Sequence, residues 1–214
     1  MIATEDLIRQ LAGDAPPRRP GAAVRRLAGG IAPGSAVSLA IILLWLGQPF
    51  GAIEYTGIPA FTMKLAFAVA MFALAAALLF AAGRPGRKLG SRLFWLLVPP
   101  ALVGATAMVE LATKAPQFRE DAWLGSTWQT CLAAIVLMAI PVFAGILWAF
   151  RRLAPTNLRI AGTLAGLASG SAAAVLYALY CPETTATFLI SWYSLGILAA
   201  GLIGGLAGPR LLRW

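Results

Sequence analysis

The sequence predicts an all-α, polytopic membrane protein with six transmembrane helices and both chain termini in the cytoplasm. Of its 214 residues, 60% are hydrophobic and only 12% are charged, whereas about a quarter of the residues in a soluble domain are charged. The apolar residues form six runs, each near the length of about 20 residues that a helix needs to cross a bilayer. The basic residues lie in clusters between these runs. These observations identify lipid as the solvent for most of the chain.

Residues 1–26 are predicted to form a cytoplasmic N-terminal segment, and residues 27–214 the six-helix transmembrane domain. The first thirty residues lack the apolar stretch of a signal peptide, so they are expected to stay in the cytoplasm. Residues 4–12 have the pattern of a short amphipathic helix that Thr4 can cap, and the prolines of residues 16–20 end it.

That helix is too short to be stable alone, so two interpretations stay open. Its apolar face can dock on a partner, or the segment can be a frayed tail that only supplies positive charge. The candidate partner contacts are the apolar face and the arginine pair that follows it: Leu7, Ile8, Leu11, Arg18 and Arg19.

The six apolar runs give the predicted spans. They cover residues 27–47, 60–82, 93–112, 126–150, 160–180 and 188–207. Glycine and proline at Gly29, Gly30, Pro33 and Gly34 are expected to loosen the start of the first span, because both residue types disfavour a helix interior.

The distribution of Lys and Arg sets the orientation. Fourteen of the 17 basic residues lie in the N-terminal segment, the second and fourth connections and the C-terminal tail, all on one side of the predicted membrane. By the positive-inside rule this side is the cytoplasm. The sequence therefore predicts a multi-pass membrane protein that is in contact with lipid and has both termini on the cytoplasmic side.

Glycines recur at intervals of four in the last two spans, at Gly162, Gly166 and Gly170 and again at Gly201 and Gly205. Small residues at this interval let two helix backbones approach closely in lipid. The spacing predicts a tight hairpin of the fifth and sixth spans.

Two ionisable residues fall inside predicted spans near their non-cytoplasmic ends, Lys64 in the second and Glu110 in the third. An ion pair between them is one interpretation, because either charge alone is costly in hydrocarbon. The other is that each side chain extends to the nearby interface. An intramembrane pair would also suit a small transporter or transporter subunit, which is the alternative function.

The chain has two cysteines, and topology places both at the non-cytoplasmic ends of their spans. Cys131 lies about one turn inside the fourth span, and Cys181 ends the fifth. The pair can be a permanent disulfide, two small buried hydrophobes, or a switchable pair. A switchable pair would bind a thiophilic ion such as Cu(I), Cd(II) or Hg(II), or be oxidised.

Composition excludes most enzyme classes. The chain has no histidine, which removes imidazole acid–base chemistry, Ser-His triads and imidazole metal sites. It also has no Cys-x-x-Cys pair of the kind that thiol oxidoreductases use. Because these residue types are missing, neither an enzymatic activity nor a required cofactor is expected. The net charge of +9 is accounted for by membrane orientation, so direct binding of nucleic acid is not expected either.

Several motifs resemble the NrsF-type anti-sigma factors. The residues that carry the resemblance span the chain: Asp6 to Ala12 followed by Pro16 and Pro17, Lys64, Gly125-Ser126-Thr127-Trp128 ahead of Cys131, Tyr180-Cys181-Pro182-Glu183, Ser191-Trp192-Tyr193, and the terminal Leu211-Leu212-Arg213-Trp214. Many relatives have a Pro-Val element where this chain has Pro16-Pro17-Arg18-Arg19.

The resemblance implies a six-span inner-membrane protein that holds a sigma factor of the extracytoplasmic-function type inactive. It further implies that Cys131 and Cys181 match the paired cysteines of the family, and that they sense a heavy metal or an oxidant and thereby free the sigma factor. The segment from Leu7 to Leu11 would lie in the matching cytoplasmic region.

Overall fold

The computed structural model describes residues 4–6, 21–47, 51–84, 89–150 and 157–212, and every regular element in these ranges is helical. The helices are α1 (Ala22–Leu46), α2 (Gly51–Ala82), α3 (Val98–Thr113), α4 (Arg119–Leu124), α5 (Trp128–Phe150), α6 (Leu158–Tyr177) and α7 (Ala186–Leu211). A 3₁₀ helix, Gly90–Leu97, leads into α3. Six of these segments are long and apolar enough to cross a membrane, which confirms the predicted all-α, six-span fold class.

The partner-docking prediction falls almost wholly outside these ranges. Residues 4–6 are helical and exposed, as the start of the predicted N-terminal helix requires. The proposed contacts Leu7, Ile8, Leu11, Arg18 and Arg19 lie outside the described residues.

Helix α6 is at the centre of the bundle. Of its most apolar stretch 72% is buried, against 17% in the third span, and α6 packs against α2, α5 and α7. Large apolar side chains are exposed on the outer helices, among them Leu44, Leu102 and Leu206. A surface of this kind is stable in hydrocarbon rather than in water.

The predicted α6–α7 hairpin is confirmed. A Cβ atom added to Gly166 would meet the backbone of Ala200 and Gly201, and one added to Gly162 would meet that of Gly204 and Gly208. Glycine at these positions therefore lets the two antiparallel backbones touch, as expected for small residues four apart.

The first span corrects an expectation. Gly30 and Gly34 do not loosen α1, which is helical throughout, because they bring it against the backbone of α5 at Gly145 and Pro141. Ser38, four residues further on, donates a hydrogen bond of 2.7 Å to the carbonyl of Met138 in α5. The glycines of α1 thus form a second close helix contact.

The antiparallel order places the start of α1 and the end of α7 at one end of the bundle. The opposite end, here called the distal end, contains residues 110–131 and 177–193 together with Lys64. Hydrogen bonds between segments that are far apart in sequence hold the distal end together.

Candidate functional site at the distal end

Cys131 and Cys181 lie in one buried cluster at the distal end. Both side chains are 0% exposed, both are free thiols, and both lie close enough to Lys64 and Glu183 to interact electrostatically with their charges. The predicted placement of the two cysteines at the same end of the bundle therefore agrees with the structure. Burial raises the pKa of the Cys181 thiol above its ordinary value, which favours the unreactive protonated form.

Glu183 connects the loop after α6 to the beginning of α5. Its carboxylate oxygen Oε1 accepts hydrogen bonds from the backbone N–H groups of Ser126 and Thr127, at 2.8 and 3.1 Å, and from their hydroxyls, at 2.9 and 3.0 Å. An anion with these partners caps a helix N-terminus, where the free N–H groups and the helix dipole favour negative charge. Cys131 is one turn inside that helix, and its N–H donates to the Thr127 carbonyl at 2.8 Å.

Gly125 makes room for this cap. Its φ of 58° lies in the left-handed region, which glycine adopts without steric cost. A Cβ at this position would lie 2.6 Å from Oε2 of Glu183 and 2.7 Å from a ring carbon of Phe188. The glycine is therefore required both by the turn and by the carboxylate that packs on it.

Lys64 holds the same loop from the other side. Its ammonium, on a side chain that is 2% exposed, donates to the backbone carbonyls of Cys181 at 2.6 Å and Glu183 at 2.9 Å. The loop 181–183 is thus fixed between α2 and the N-terminus of α5. A buried cation needs such acceptors, because an ammonium without hydrogen bonds is costly away from water.

The predicted ion pair of Lys64 with Glu110 needs correction, since the structure gives each residue other partners. Glu110 accepts from the ammonium of Lys114 at 2.9 Å through Oε1, and Oε2 accepts from the N–H and hydroxyl of Thr187 at 3.1 Å each. The Glu110 carboxylate caps α7 with one oxygen and pairs with Lys114, one turn away, through the other. Lys64 instead lies among the backbone carbonyls of the loop 181–183. The transporter alternative loses the pair on which it depended.

Aromatic residues also lie at the distal end. The rings of Tyr177 and Tyr193 are buried with their centroids 6.0 Å apart, in the same apolar core as the two cysteines. The rings of Trp192 and Trp128 have centroids 4.8 Å apart and planes tilted by 34°, and Trp192 donates its indole N–H to the carbonyl of Trp123. Residues 189–193 form a π-helical turn of α7, an irregularity that is common at functional sites.

Glu183 was not predicted to be a site residue, although it belongs to the motif Tyr180-Cys181-Pro182-Glu183. The available signal was the turn Gly125-Ser126-Thr127 before a helix that lacks an acidic first turn of its own. Such a helix start favours an anion supplied from elsewhere.

The cysteines are not part of a larger donor set in the described portion of the chain. There, no group of three or more His, Cys, Asp or Glu side chains could hold a metal ion. An ion bound here would have two thiolates as its protein ligands. A two-thiolate site suits soft cations and not hard ones such as Mg²⁺.

Comparisons with known proteins agree with the resemblance in the motifs. The family model NrsF, described as a negative regulator of sigma F, matches residues 11–214. The anti-sigma-F factor NrsF of Caulobacter vibrioides is 40% identical over 218 residues, and the probable anti-sigma-F factor NrsF of Azospira oryzae is 39% identical over 221 residues. Both alignments cover 100% of each chain. No solved structure matches.

Proposed function

The chain belongs to the NrsF family of negative regulators of sigma F, and from this premise we propose that it is an inner-membrane anti-sigma factor for a sigma factor of the extracytoplasmic-function type. Family membership makes it a regulatory protein and not an enzyme. The proposal adds the class of the sigma factor, the location and the signal.

Binding of the sigma factor is assigned to the end of the bundle where α1 starts and α7 ends. Basic residues cluster at this end, including Arg84, Arg92 and Arg159, and the positive-inside rule orients it to the cytoplasm. The N-terminal segment with Leu7, Ile8 and Leu11 would supply apolar contacts, while the arginines would steer association. Sigma factor and sensor site would then be on opposite sides of the membrane.

The sensor is assigned to Cys131 and Cys181. One observation carries this assignment: the only two cysteines of the chain are buried together at the distal end, among Lys64, Glu183, Tyr177 and Tyr193. In the oxidising compartment outside the inner membrane, a thiophilic ion such as Cu(I) or Cd(II) would bind the two thiolates, or an oxidant would join them. Neither event requires a resident cofactor.

Transmission would pass through the helices that bear the thiols. Cys131 is on α5 and Cys181 ends the turn after α6, and both helices pack against the remainder of the bundle. A ligand shifts an equilibrium between two packings only through its different affinity for them. A coupling free energy of about 1–3 kcal/mol is typical and corresponds to a change of roughly 5–150-fold in the affinity for the partner.

An affinity purification tests the proposal. The tagged full-length protein is isolated from detergent-solubilised membranes with and without added Cu(I) or Cd(II), and co-purifying proteins are identified. A sigma factor is expected without the ion and is expected to be lost with it. A Cys131→Ser/Cys181→Ser variant should keep the sigma factor under both conditions. Absence of any sigma factor from the untreated sample would refute the function itself.

A further inference from the structure

The thiols are closed off from their surroundings, which raises the question of how a signal reaches them. Cys131 and Cys181 are both 0% exposed, and a metal ion or oxidant has to contact sulfur in order to react. The segments packed around the sulfurs must therefore move apart before the cysteines can be modified. The contacts that hold them closed determine how often this happens.

Two charged residues provide those contacts. Glu183 gathers four hydrogen bonds from Ser126 and Thr127 on one carboxylate oxygen, so it ties the loop that contains Cys181 to the turn that precedes Cys131. Lys64 binds the carbonyls on either side of Pro182, so the loop is also attached to α2. Lifting the loop would break six hydrogen bonds that involve charged groups, which are stronger than neutral ones.

We propose that Glu183 and Lys64 are positioning residues of the cysteine pair: they hold residues 181–183 closed over the end of α5, and each thiol becomes reachable only when this loop lifts. The proposed control of access to the two thiols depends only on the hydrogen bonds of Glu183 and Lys64. Its consequence for release of the sigma factor rests on the proposed function.

Glu110 offers a matched control at the same end of the bundle. Like Glu183, it is a carboxylate that caps a helix in another segment, through Thr187 of α7. Its other partner is Lys114, and neither partner belongs to the loop 181–183. A change at Glu110 therefore weakens the distal end without touching the contacts that hold the loop closed.

The test is the rate of thiol alkylation in the folded full-length protein in detergent. A small maleimide is added, and mass spectrometry follows its incorporation in Cys131→Ser and Cys181→Ser backgrounds, so that each sulfur is measured alone. Into these backgrounds are introduced Glu183→Ala, Glu183→Gln, Ser126→Ala and Lys64→Met. Glu110→Gln is the control, and alkylation in SDS gives the rate of the fully exposed thiols.

The expected rates depend on how many hydrogen bonds to the loop each substitution removes. Glu183→Ala and Lys64→Met should raise alkylation of both cysteines about tenfold or more, because the modification rate follows the population of the open state. Glu183→Gln should give a smaller increase, since its amide oxygen can still accept hydrogen bonds but has no charge. Ser126→Ala removes one of the four hydrogen bonds to Glu183 and should give about a twofold increase. Glu110→Gln should leave the rate near that of the unchanged background.

Two results would overturn the proposal. One is an unchanged alkylation rate in both Glu183→Gln and Ser126→Ala, which are mild enough to remain folded even where Glu183→Ala is not. The other is an equal increase in Glu110→Gln, which would indicate general loosening of the distal end. Faster alkylation with unchanged sigma-factor release would instead leave positioning intact and count against cysteine sensing.

Discussion

Lys64 and Cys181 are joined by a hydrogen bond of 2.6 Å, from the lysine ammonium to the cysteine backbone carbonyl. The lysine side chain is 2% exposed, and its second acceptor is again a backbone carbonyl, that of Glu183. A residue that the sequence marks as an intramembrane charge thus serves to fix the backbone of a loop.

Replacing Lys64 by methionine should reduce the free energy of unfolding by about 2–4 kcal/mol, because two carbonyls in a buried site lose their donor while the side chain keeps a similar length. Thermal unfolding in detergent measures the effect. Lys114→Met is the control, because about a third of the Lys114 side chain is exposed and its pair with Glu110 lies one helical turn apart; removing that pair should cost under about 1 kcal/mol. Equal destabilisation in both variants would contradict a special role for Lys64.

Gly125→Ala is expected to destabilise the protein by about 1–3 kcal/mol. The alanine would have to adopt a left-handed φ of 58° and place its methyl group against the Glu183 carboxylate, and either requirement is costly. The midpoint of thermal unfolding gives the measurement. A variant as stable as the original chain would show that the turn and its cap can rearrange freely.

Gly166→Ala should lower the free energy of unfolding by about 1–3 kcal/mol, because the new methyl group would meet the backbone of α7 at Ala200 and force the hairpin apart. Gly29→Ala provides the comparison in α1, where a Cβ would meet nothing within 4 Å. That change should be neutral or stabilising by up to about 1 kcal/mol, since alanine favours a helix over glycine. The hairpin packing would be in doubt if the two variants unfolded at the same temperature.

Cys131→Ser and Cys181→Ser should each abolish the release of the sigma factor by Cu(I), Cd(II) or an oxidant, because one hydroxyl cannot replace a thiolate ligand or form a disulfide. Membrane insertion and repression should persist, since serine fits the space that each cysteine occupies. A reporter gene controlled by the sigma factor reads out both. Normal induction in both single variants would rule out the thiol mechanism.

Deletion of residues 1–12 should free the sigma factor without any signal, because the deleted segment contains the apolar face assigned to partner contact. Reporter activity in unstressed cells is expected to rise to the level of a full deletion, while the amount of protein in the membrane stays constant. Retained repression would instead indicate that the sigma factor binds to the basic connections near Arg84 to Arg92 and Arg151 to Arg159.

The spans and the hairpin could be predicted because each depends on a local pattern. An apolar run of about 20 residues is itself the property that puts a helix in lipid, and Gly166 belongs to a spacing that is legible within one helix. The glycines of α1 were misinterpreted because Gly30 acts through its contact with Gly145. Helix propensity gives the free-energy cost of a residue within its own helix. It does not describe the close packing that a small residue allows with a neighbouring helix.

The distal site was harder to predict because its partners are backbone groups and distant residues. Pairing a buried lysine with the nearest acid is reasonable when only side chains can be considered, yet Lys64 donates to two backbone carbonyls of the loop after α6. Glu183 accepts hydrogen bonds at the start of α5, from Ser126, which lies 57 residues before it in the chain. A local pattern can indicate that the start of α5 favours an anion, but it does not identify the distant residue that supplies it. Cys131 and Cys181, in contrast, could be placed at one end by topology alone.

The attachment of Lys64 also has a consequence for how the protein is made. Its acceptor on Cys181 follows 117 residues later in the chain, so the second helix is synthesised before the carbonyls that will accept hydrogen bonds from its lysine. Until α6 and α7 have been inserted, the ammonium of Lys64 must lie near the lipid headgroups or be hydrated by water. A chain truncated before α6 would therefore lack both of the carbonyls to which Lys64 donates in the complete protein.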